Sequence, residues 1–363
     1  MQLPDFPWDS LREAKATAHA HPGGLIDLSV GSPVDDTVNS AVTGLTGGSN
    51  APGYPTTAGT PELIHAMVSW WRSQRGAGAV TEANVLPVIG SKEMVALLPL
   101  LLGLGKGDVV VHPLISYPTY EVGALAVGAT PVPEDDPEKW PDKTRLVWIN
   151  SPSNPTGDVL DTDQLRRIVH RARQMGAVLA SDECYGLLGS DAHPIAPSVL
   201  SDAVVAGDYA GVLALHSLSK QGNMAGYRAA FMAGDATLIT TLLQLRKHLG
   251  LMVPGPIQAA VAAALADTDS VAAQRNKYSY RRRVLREAFV AAGFRIDHSE
   301  AGLYLWATRD ESADESVQWC ASRGVLVTPG HFYGEAGKHH IRIALTVSDE
   351  HAEAVFGRLA AAQ

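Results

Sequence analysis

The chain has 363 residues, of which 46% are hydrophobic and 18% charged, a composition that excludes a disordered protein and suits two associated globular domains. A formal net charge of −9 argues against nucleic acid or anionic lipid as partner, so an anionic ligand must meet positive charge gathered in a pocket. The two cysteines, Cys184 and Cys320, lack metal-ligand spacing and read as reduced thiols of a cytoplasmic protein. Residues Met1 to Trp8 show no basic start followed by an apolar run, so no signal peptide is expected. The most apolar stretch, Met94 to Leu104, contains Pro99 and falls well short of the ~20 residues a membrane span needs.

In chain order, Val85 to Ile89 is strand-like, and Gly90-Ser91-Lys92-Glu93 then opens a helix. Val109-Val110-Val111 is a short buried strand ended by Pro113, and Leu146 to Ile149 is another, closed by Asn150-Ser151-Pro152. Asp161 is placed as an N-cap, Leu165, Ile168, Val169 and Ala172 follow at helical spacing, and Gly176 is the stop. Three more apolar runs, at Ala177 to Ala180, Val212 to Leu215 and Ala229 to Met232, read as strands. Apolar runs without alternation, separated by helices, predict an α/β fold with a mostly parallel sheet covered on both faces.

After residue 250 the pattern changes. Pro254-Gly255-Pro256 breaks a helix that starts near Asp235, and a long helical stretch then carries Arg281-Arg282-Arg283, read as a solvated face. Gly302 to Trp306 and Arg342 to Leu345 read as strands of a smaller α+β domain. The expected division is an N-terminal segment, 1–30, packing with the small domain, a large domain, 31–250, and a small C-terminal domain, 251–363.

Ser217-Leu218-Ser219-Lys220 with Gly226-Tyr227-Arg228 is the most informative segment. A lysine just after a buried strand is set apart, because desolvation and nearby cations favour the neutral amine that condenses with an aldehyde. Two hydroxyls and a guanidinium beside it suit a phosphate dianion. Upstream, Ser153-Asn154-Pro155-Thr156-Gly157 and Asp182-Glu183-Cys184-Tyr185 each follow a predicted strand, at the carboxyl ends where open α/β sheets build their sites. The thirteen histidines show no helical i, i+4 pair with a carboxylate, so no metal site is expected.

The order Asn-Pro-x-Gly, Asp-x-x-Tyr, Ser-x-Ser-Lys and Gly-x-Arg resembles the class I/II aminotransferases of PLP-transferase fold type I, from about Asp27 to the C-terminus. The resemblance implies pyridoxal 5′-phosphate (PLP) bound as an imine to Lys220, which also carries the proton once substrate displaces it. Asp182 would pair with the pyridinium nitrogen, while Asn154 and Tyr185 would bind the ring's phenolate oxygen. Ser91 and Lys92, through backbone N–H groups at a helix start, would cradle the phosphate together with Ser217, Ser219 and Arg228. Tyr54, in a Gly- and Pro-rich segment, would reach that phosphate from the other subunit of a homodimer. Tyr117 would stack on the ring, with Tyr120 as the alternative. Arg342 would grip the substrate α-carboxylate, joined by Asn154 and the backbone of Gly31. Ser32 stands before Pro33 where the family usually has an acidic residue or Asn.

The implied reaction moves an amino group between an amino acid and a 2-oxo acid. The compact chain looks most like actinobacterial N-succinyldiaminopimelate aminotransferases of lysine biosynthesis, which use glutamate as donor. Aspartate or broad-specificity transamination is the nearest rival, and a C–S β-lyase on the same scaffold is another. A PLP-sensing regulator would need a basic DNA-binding domain ahead of this region, and only about thirty residues stand there.

Overall fold

The computed structural model describes residues 3–189 and 194–360. A 3₁₀ turn at Pro7–Leu11 leads into α1 (Arg12–His19) and the two-residue β1 (Ile26–Asp27). Next come α2 (Asn39–Gly47) and α3 (Pro61–Arg75). The Thr60 hydroxyl caps α3 by accepting from the Leu63 N–H, and Gly76 ends it in the left-handed conformation. The middle of the chain alternates β2 (Val85–Val88), α4 (Ser91–Leu101), β3 (Val109–His112), α5 (Thr119–Ala126), β4 (Thr130–Pro133) and β5 (Thr144–Asn150). It continues with α6 (Thr162–Met175), β6 (Val178–Asp182), α7 (Asp202–Val205), β7 (Val212–Ser217), the single turn α8 (Leu218–Gln221) and β8 (Ala230–Gly234). Helices α9 (Ala236–Leu249), α10 (Gly255–Leu265) and α11 (Thr268–Ala291) precede β9 (Arg295–Asp297) and β10 (Tyr304–Thr308). The chain closes with α12 (Ala313–Ala321), β11 (Val325–Leu326), β12 (Thr328–Pro329), β13 (Ile341–Ala344) and α13 (Asp349–Ala360).

Among the described residues, seven strands form the main sheet in the order β2-β8-β7-β6-β5-β3-β4. Only β8 runs antiparallel to its neighbours, so the fold is α/β with a mostly parallel sheet, as the unalternated apolar runs predict. Leu63, Trp71, Leu179 and Phe231 belong to a core on one face, and Met94, Leu98, Trp148 and Met232 to a core on the other. A third core gathers Leu285, Phe289, Leu305 and Val355 with Leu11, Ala14, Ile26 and Leu28 of the N-terminal segment. Pairing of β1 with β11 ties that segment to the C-terminal half. Helix α10 packs on α2 and α3, and its Ala260 and Val261 lie in the first core. No helix among the described residues is long and apolar enough to cross a membrane.

The arginine triplet corrects one expectation. Only Arg283 lies on a solvated face, paired with Glu287 at 3.6 Å. Arg281 is 2% exposed, and it donates to Asp35 through both terminal nitrogens and to Asp349 through Nε. Arg282 reaches the Gly302 carbonyl. Helical spacing could not reveal this, because the partners lie far away in sequence.

A second buried pair sits at the carboxyl end of β6, the middle strand of the sheet. Arg75, at the end of α3, donates from Nη2 to Glu183 Oε2 at 2.8 Å and from Nη1 to the carbonyls of Gly186 and Ala196. Glu183 Oε1 accepts from the Val199 N–H at 2.8 Å, so one carboxylate organises the segment after β6. Removing a single partner leaves an uncompensated buried charge. Arg75→Met is expected to lower unfolding free energy by about 3–5 kcal/mol, seen as a fall in the urea midpoint at unchanged slope. A loss under about 1 kcal/mol would show that the pair contributes little.

Candidate active site

Strand register builds the floor of the site. Asn150 pairs with Asp182 across β5 and β6, and β7 continues past its pairing with β6 to Ser217. These carboxyl ends therefore lie side by side on one rim, where parallel sheets leave their crevice. A cavity of about 450 Å³ opens there. Its wall includes all the residues singled out from the sequence except Tyr54, which is 98% exposed and outside the cavity of its own chain.

Lys220 sits in the single turn α8, whose start is capped by the Ser217 hydroxyl accepting from the Ser219 N–H. Its Nζ donates to the carbonyl of Gly31, on the stretch that follows β1. Burial pushes the Lys220 amine below the usual lysine range, and the guanidinium groups of Arg342 and Arg228 add to this against the opposing influence of Tyr304 and Cys184. Gly31 lets this stretch pass close to Tyr304, since a Cβ there would lie 2.2 Å from the Tyr304 hydroxyl oxygen and would have to displace that ring.

Arg342, on β13, is 2% exposed. Nη1 donates to Asn154 Oδ1 at 2.9 Å and Nη2 to the Ser29 carbonyl at 2.7 Å, while the guanidinium carbon lies 4.0 Å from the centre of the Tyr304 ring. Nε is buried without a partner, and no carboxylate among the described residues pairs with this charge. A buried guanidinium held by neutral oxygens and an aromatic face is set to take an anion. Asn154 is oriented in turn by Asn150, whose Oδ1 accepts its backbone N–H at 2.7 Å.

Asp182 ends β6 in the cavity floor and accepts from the Tyr120 hydroxyl at 2.8 Å and the Cys184 N–H at 3.2 Å. Burial raises its pKa, while its hydrogen bonds from Cys184 and Tyr120 oppose the shift. The choice between Tyr117 and Tyr120 now has a physical basis. Tyr120 is fully buried, stacked on Trp148 at 5.1 Å, with its hydroxyl committed to Asp182. Tyr117 is partly exposed on the wall, edge-on to Tyr120 at 5.9 Å, and is the ring able to meet a planar ligand.

Opposite, Gly90 stands at the N-cap of α4, with a φ of +78° that suits glycine. A Cβ there would meet Arg228 Nη2 at 2.3 Å, so that guanidinium lies close against the helix start. Ser91, Ser217 and Ser219 complete a cradle of hydroxyl and backbone donors, with the Ser217 hydroxyl 2.9 Å from that of Ser219. Lys92 projects its ammonium over Phe6 and Tyr117, at 5.4 and 5.9 Å from the ring centres. Tyr185 brings its hydroxyl within 3.3 Å of that of Tyr304.

Sequence reasoning missed Asn150, Cys184, Tyr304 and the N-terminal pair Phe6 and Trp8, all on this wall, and it weighed Tyr120 for stacking without seeing its bond to Asp182. The only local signal was position. Asn150 and Cys184 stand next to recognised motifs, whereas Tyr304 and Trp8 arrive from distant segments. The assembled chemistry suits PLP: a desolvated amine that would take an aldehyde, a buried carboxylate that would meet a ring nitrogen, an aromatic side chain and an anion cradle. Among the described residues, no group of three His, Cys, Asp or Glu side chains is arranged to hold a metal.

Comparison with known proteins agrees with this chemistry. The model of the family "Aminotransferase class I and II" matches residues 24–359. The chain is 51% identical over 358 residues to a probable aminotransferase of Mycobacterium tuberculosis, covering 98% of this chain and 85% of that protein. It is 50% identical over 359 residues to the 4-dedimethylamino-4-oxo-anhydrotetracycline transaminase of Streptomyces rimosus, covering 99% of each. Among solved structures, a probable N-succinyldiaminopimelate aminotransferase from Thermus thermophilus superposes with a TM-score of 0.87 at 27% identity, over 98% of this chain and 99% of that one. With the fold, the site chemistry and the family model in agreement over nearly the whole length, this chain belongs to the class I and II aminotransferases and is a PLP-dependent transaminase.

Proposed function

We propose that the enzyme moves an amino group between glutamate or 2-oxoglutarate and a second amino acid or 2-oxo acid, with N-succinyl-LL-2,6-diaminopimelate as the preferred second substrate. The observation that carries the carboxylate half of this reading is the buried Arg342, a charge without a carboxylate partner, on the same wall as Lys220. The printed name of the Thermus thermophilus neighbour supports the second substrate.

When bound, PLP supplies an aldehyde to take up the amino group and a ring that accepts the electrons of the substrate's Cα–H bond. Each side chain then has a task. Lys220 holds the cofactor through Nζ, and its depressed pKa leaves the freed amine able to move the proton at the substrate α-carbon. Asp182 pairs with the ring nitrogen, and the Tyr120 hydroxyl holds its carboxylate in place. Asn154 Oδ1 already accepts from Arg342 Nη1, which leaves Nδ2 to bind the ring oxygen beside Tyr185. Tyr117 covers the ring. The backbone at Ser91 and Lys92, the Ser217 and Ser219 hydroxyls and Arg228 bind the phosphate. Arg342, Asn154 and the backbone at Gly31 hold the α-carboxylate. Tyr54, fully exposed in a single chain, completes the phosphate site of a partner subunit in a cytoplasmic homodimer.

Borohydride reduction of the PLP-loaded enzyme followed by peptide mapping is expected to place the phosphopyridoxyl group on Lys220, and a label on Lys92 would overturn the assignment. A panel of amino donors and 2-oxo acids tests the substrates, and it should include the compound for which the Streptomyces rimosus relative is named. In that panel Arg342→Lys, which keeps charge but loses the planar fork, is expected to lower kcat/KM about 10- to 100-fold for donor and acceptor alike. Loss with only one of the two would mean that Arg342 reads a distal group. Release of pyruvate and ammonia without any 2-oxo acid would instead mark a β-lyase. For the shared site, Tyr54→Ala and Lys220→Ala chains refolded together are expected to regain roughly a quarter of normal activity, since half the dimers are mixed and each has one intact site. No recovery beyond the average of the two variants would remove Tyr54 from the partner's site.

A further inference from the structure

The stretch from Leu28 to Val38 is a strap between the C-terminal half of the molecule and the turn that carries Lys220. At its start, the Leu28 N–H donates to the Leu326 carbonyl at 2.8 Å, and the Ser29 carbonyl accepts from the Thr328 hydroxyl at 2.6 Å and from Arg342. The Val30 carbonyl accepts from the Thr346 hydroxyl at 3.0 Å, and the Gly31 carbonyl from Lys220. At its end, the Asp36 carbonyl accepts from Asn223 Nδ2 at 3.1 Å, and the Val38 N–H donates to the Gly222 carbonyl at 3.2 Å. Two of these carbonyls, of Ser29 and Gly31, thus bind the cations of the site, and only the middle of the strap lacks a backbone anchor of this kind.

That middle is held by one carboxylate. Asp35 accepts from both terminal nitrogens of Arg281 at 2.7 and 2.8 Å, from Gln274 Nε2 at 2.9 Å and from Lys277 at 3.3 Å. Gln274, Tyr278 and Arg281 recur at i, i+4 and i+7, on one buried face of α11. The same face holds the lysine turn: Gln274 Oε1 accepts from Asn223 Nδ2 at 2.8 Å, and the Tyr278 hydroxyl lies 3.4 Å from the Lys220 carbonyl. One face of one helix therefore fixes the strap and the lysine turn relative to each other. Arg281 has a second partner, Asp349 at 2.7 Å on α13, which does not touch the strap.

We propose that Asp35 and Arg281 are positioning residues for substrate binding: their ion pair holds the strap so that Ser29 and Gly31 keep Arg342 and Lys220 in the geometry that receives a carboxylate. The proposal rests on Arg342 as the carboxylate site. Asp35→Asn keeps the size of the side chain but loses the charge, and Arg281 stays paired with Asp349. A strap of lower occupancy costs binding of every carboxylate, whichever amino or oxo group it carries. KM for both amino donor and 2-oxo acceptor should rise about tenfold while kcat changes less than about threefold.

Glutarate, a dicarboxylate with neither an amino nor an oxo group, provides the measurement that does not depend on turnover. Its dissociation constant by calorimetry on the PLP-loaded enzyme should rise by the same factor of about ten in Asp35→Asn, and Asp35→Glu should recover most of the affinity. Asp349→Asn removes the other arm of the same guanidinium and should leave KM, kcat and glutarate affinity unchanged. Equal effects of Asp35→Asn and Asp349→Asn would overturn the proposal, because Arg281 would then be a staple of the fold alone. So would a fall in kcat with KM and glutarate affinity unchanged. Arg342→Lys separates the two readings. If it loses glutarate while Asp35→Asn keeps it, only the strap proposal falls. If it binds glutarate normally, the carboxylate reading falls and the proposal with it.

Discussion

The site depends on the parallel register of β5, β6 and β7. Pairing Asn150 with Asp182 puts two polar side chains at the same height on adjacent strand ends, and the next strand delivers Ser217 and the turn of Lys220 beside them. Strand ends also expose backbone groups that must be satisfied where water is excluded. Asn150 does this with one side chain, donating to the carbonyls of Pro152 and Asp182 and accepting from the Asn154 N–H. The segment that leaves β5 is thereby bent back over the sheet, where Asn154 meets Arg342.

Charge follows from that geometry. The chain is acidic overall, yet the cavity wall carries Lys92, Lys220, Arg228 and Arg342 against Asp182 as its one carboxylate among the described residues. Removing water from such a group of cations favours neutral amine at Lys220 and raises the worth of any anion that enters. Asp182 is buried at the floor with a tyrosine hydroxyl and a backbone N–H as its partners, so it does not neutralise Arg342. The positive charge and the single negative charge are kept apart, which would suit a cofactor and substrate that together carry a phosphate, a carboxylate and a basic ring nitrogen.

Much of the wall comes from segments outside the main sheet. Arg342 and Tyr304 lie on adjacent strands of the C-terminal half, while Phe6, Trp8 and Gly31 belong to the N-terminal stretch. Buried ion pairs span these joins. Arg281 ties the strap to α11 and α13, and Arg75 ties α3 to the segment after β6. Such pairs contribute less to net stability than to register, because desolvation offsets much of their attraction while a single mispaired charge is costly.

The sequence by itself determined the sheet and its functional rim. Unalternated apolar runs marked buried parallel strands, and the Asp161 cap with Gly176 as stop bounded α6 as found. Motifs at strand ends were legible because Lys220, Asp182 and Asn154 are each positioned by the strand that precedes them, a local relation. Tyr120 against Asp182, Tyr304 against Gly31 and the burial of Arg281 were decided only by the tertiary structure. Each of these joins residues far apart in the chain, so helical or strand periodicity assigns a face but not what will cover it. Arg281 shows the difference most clearly. An arginine triplet on a helix looks solvated until Asp35, 246 residues earlier, folds back to meet it, because charge is tolerated in a core only where a partner from elsewhere arrives.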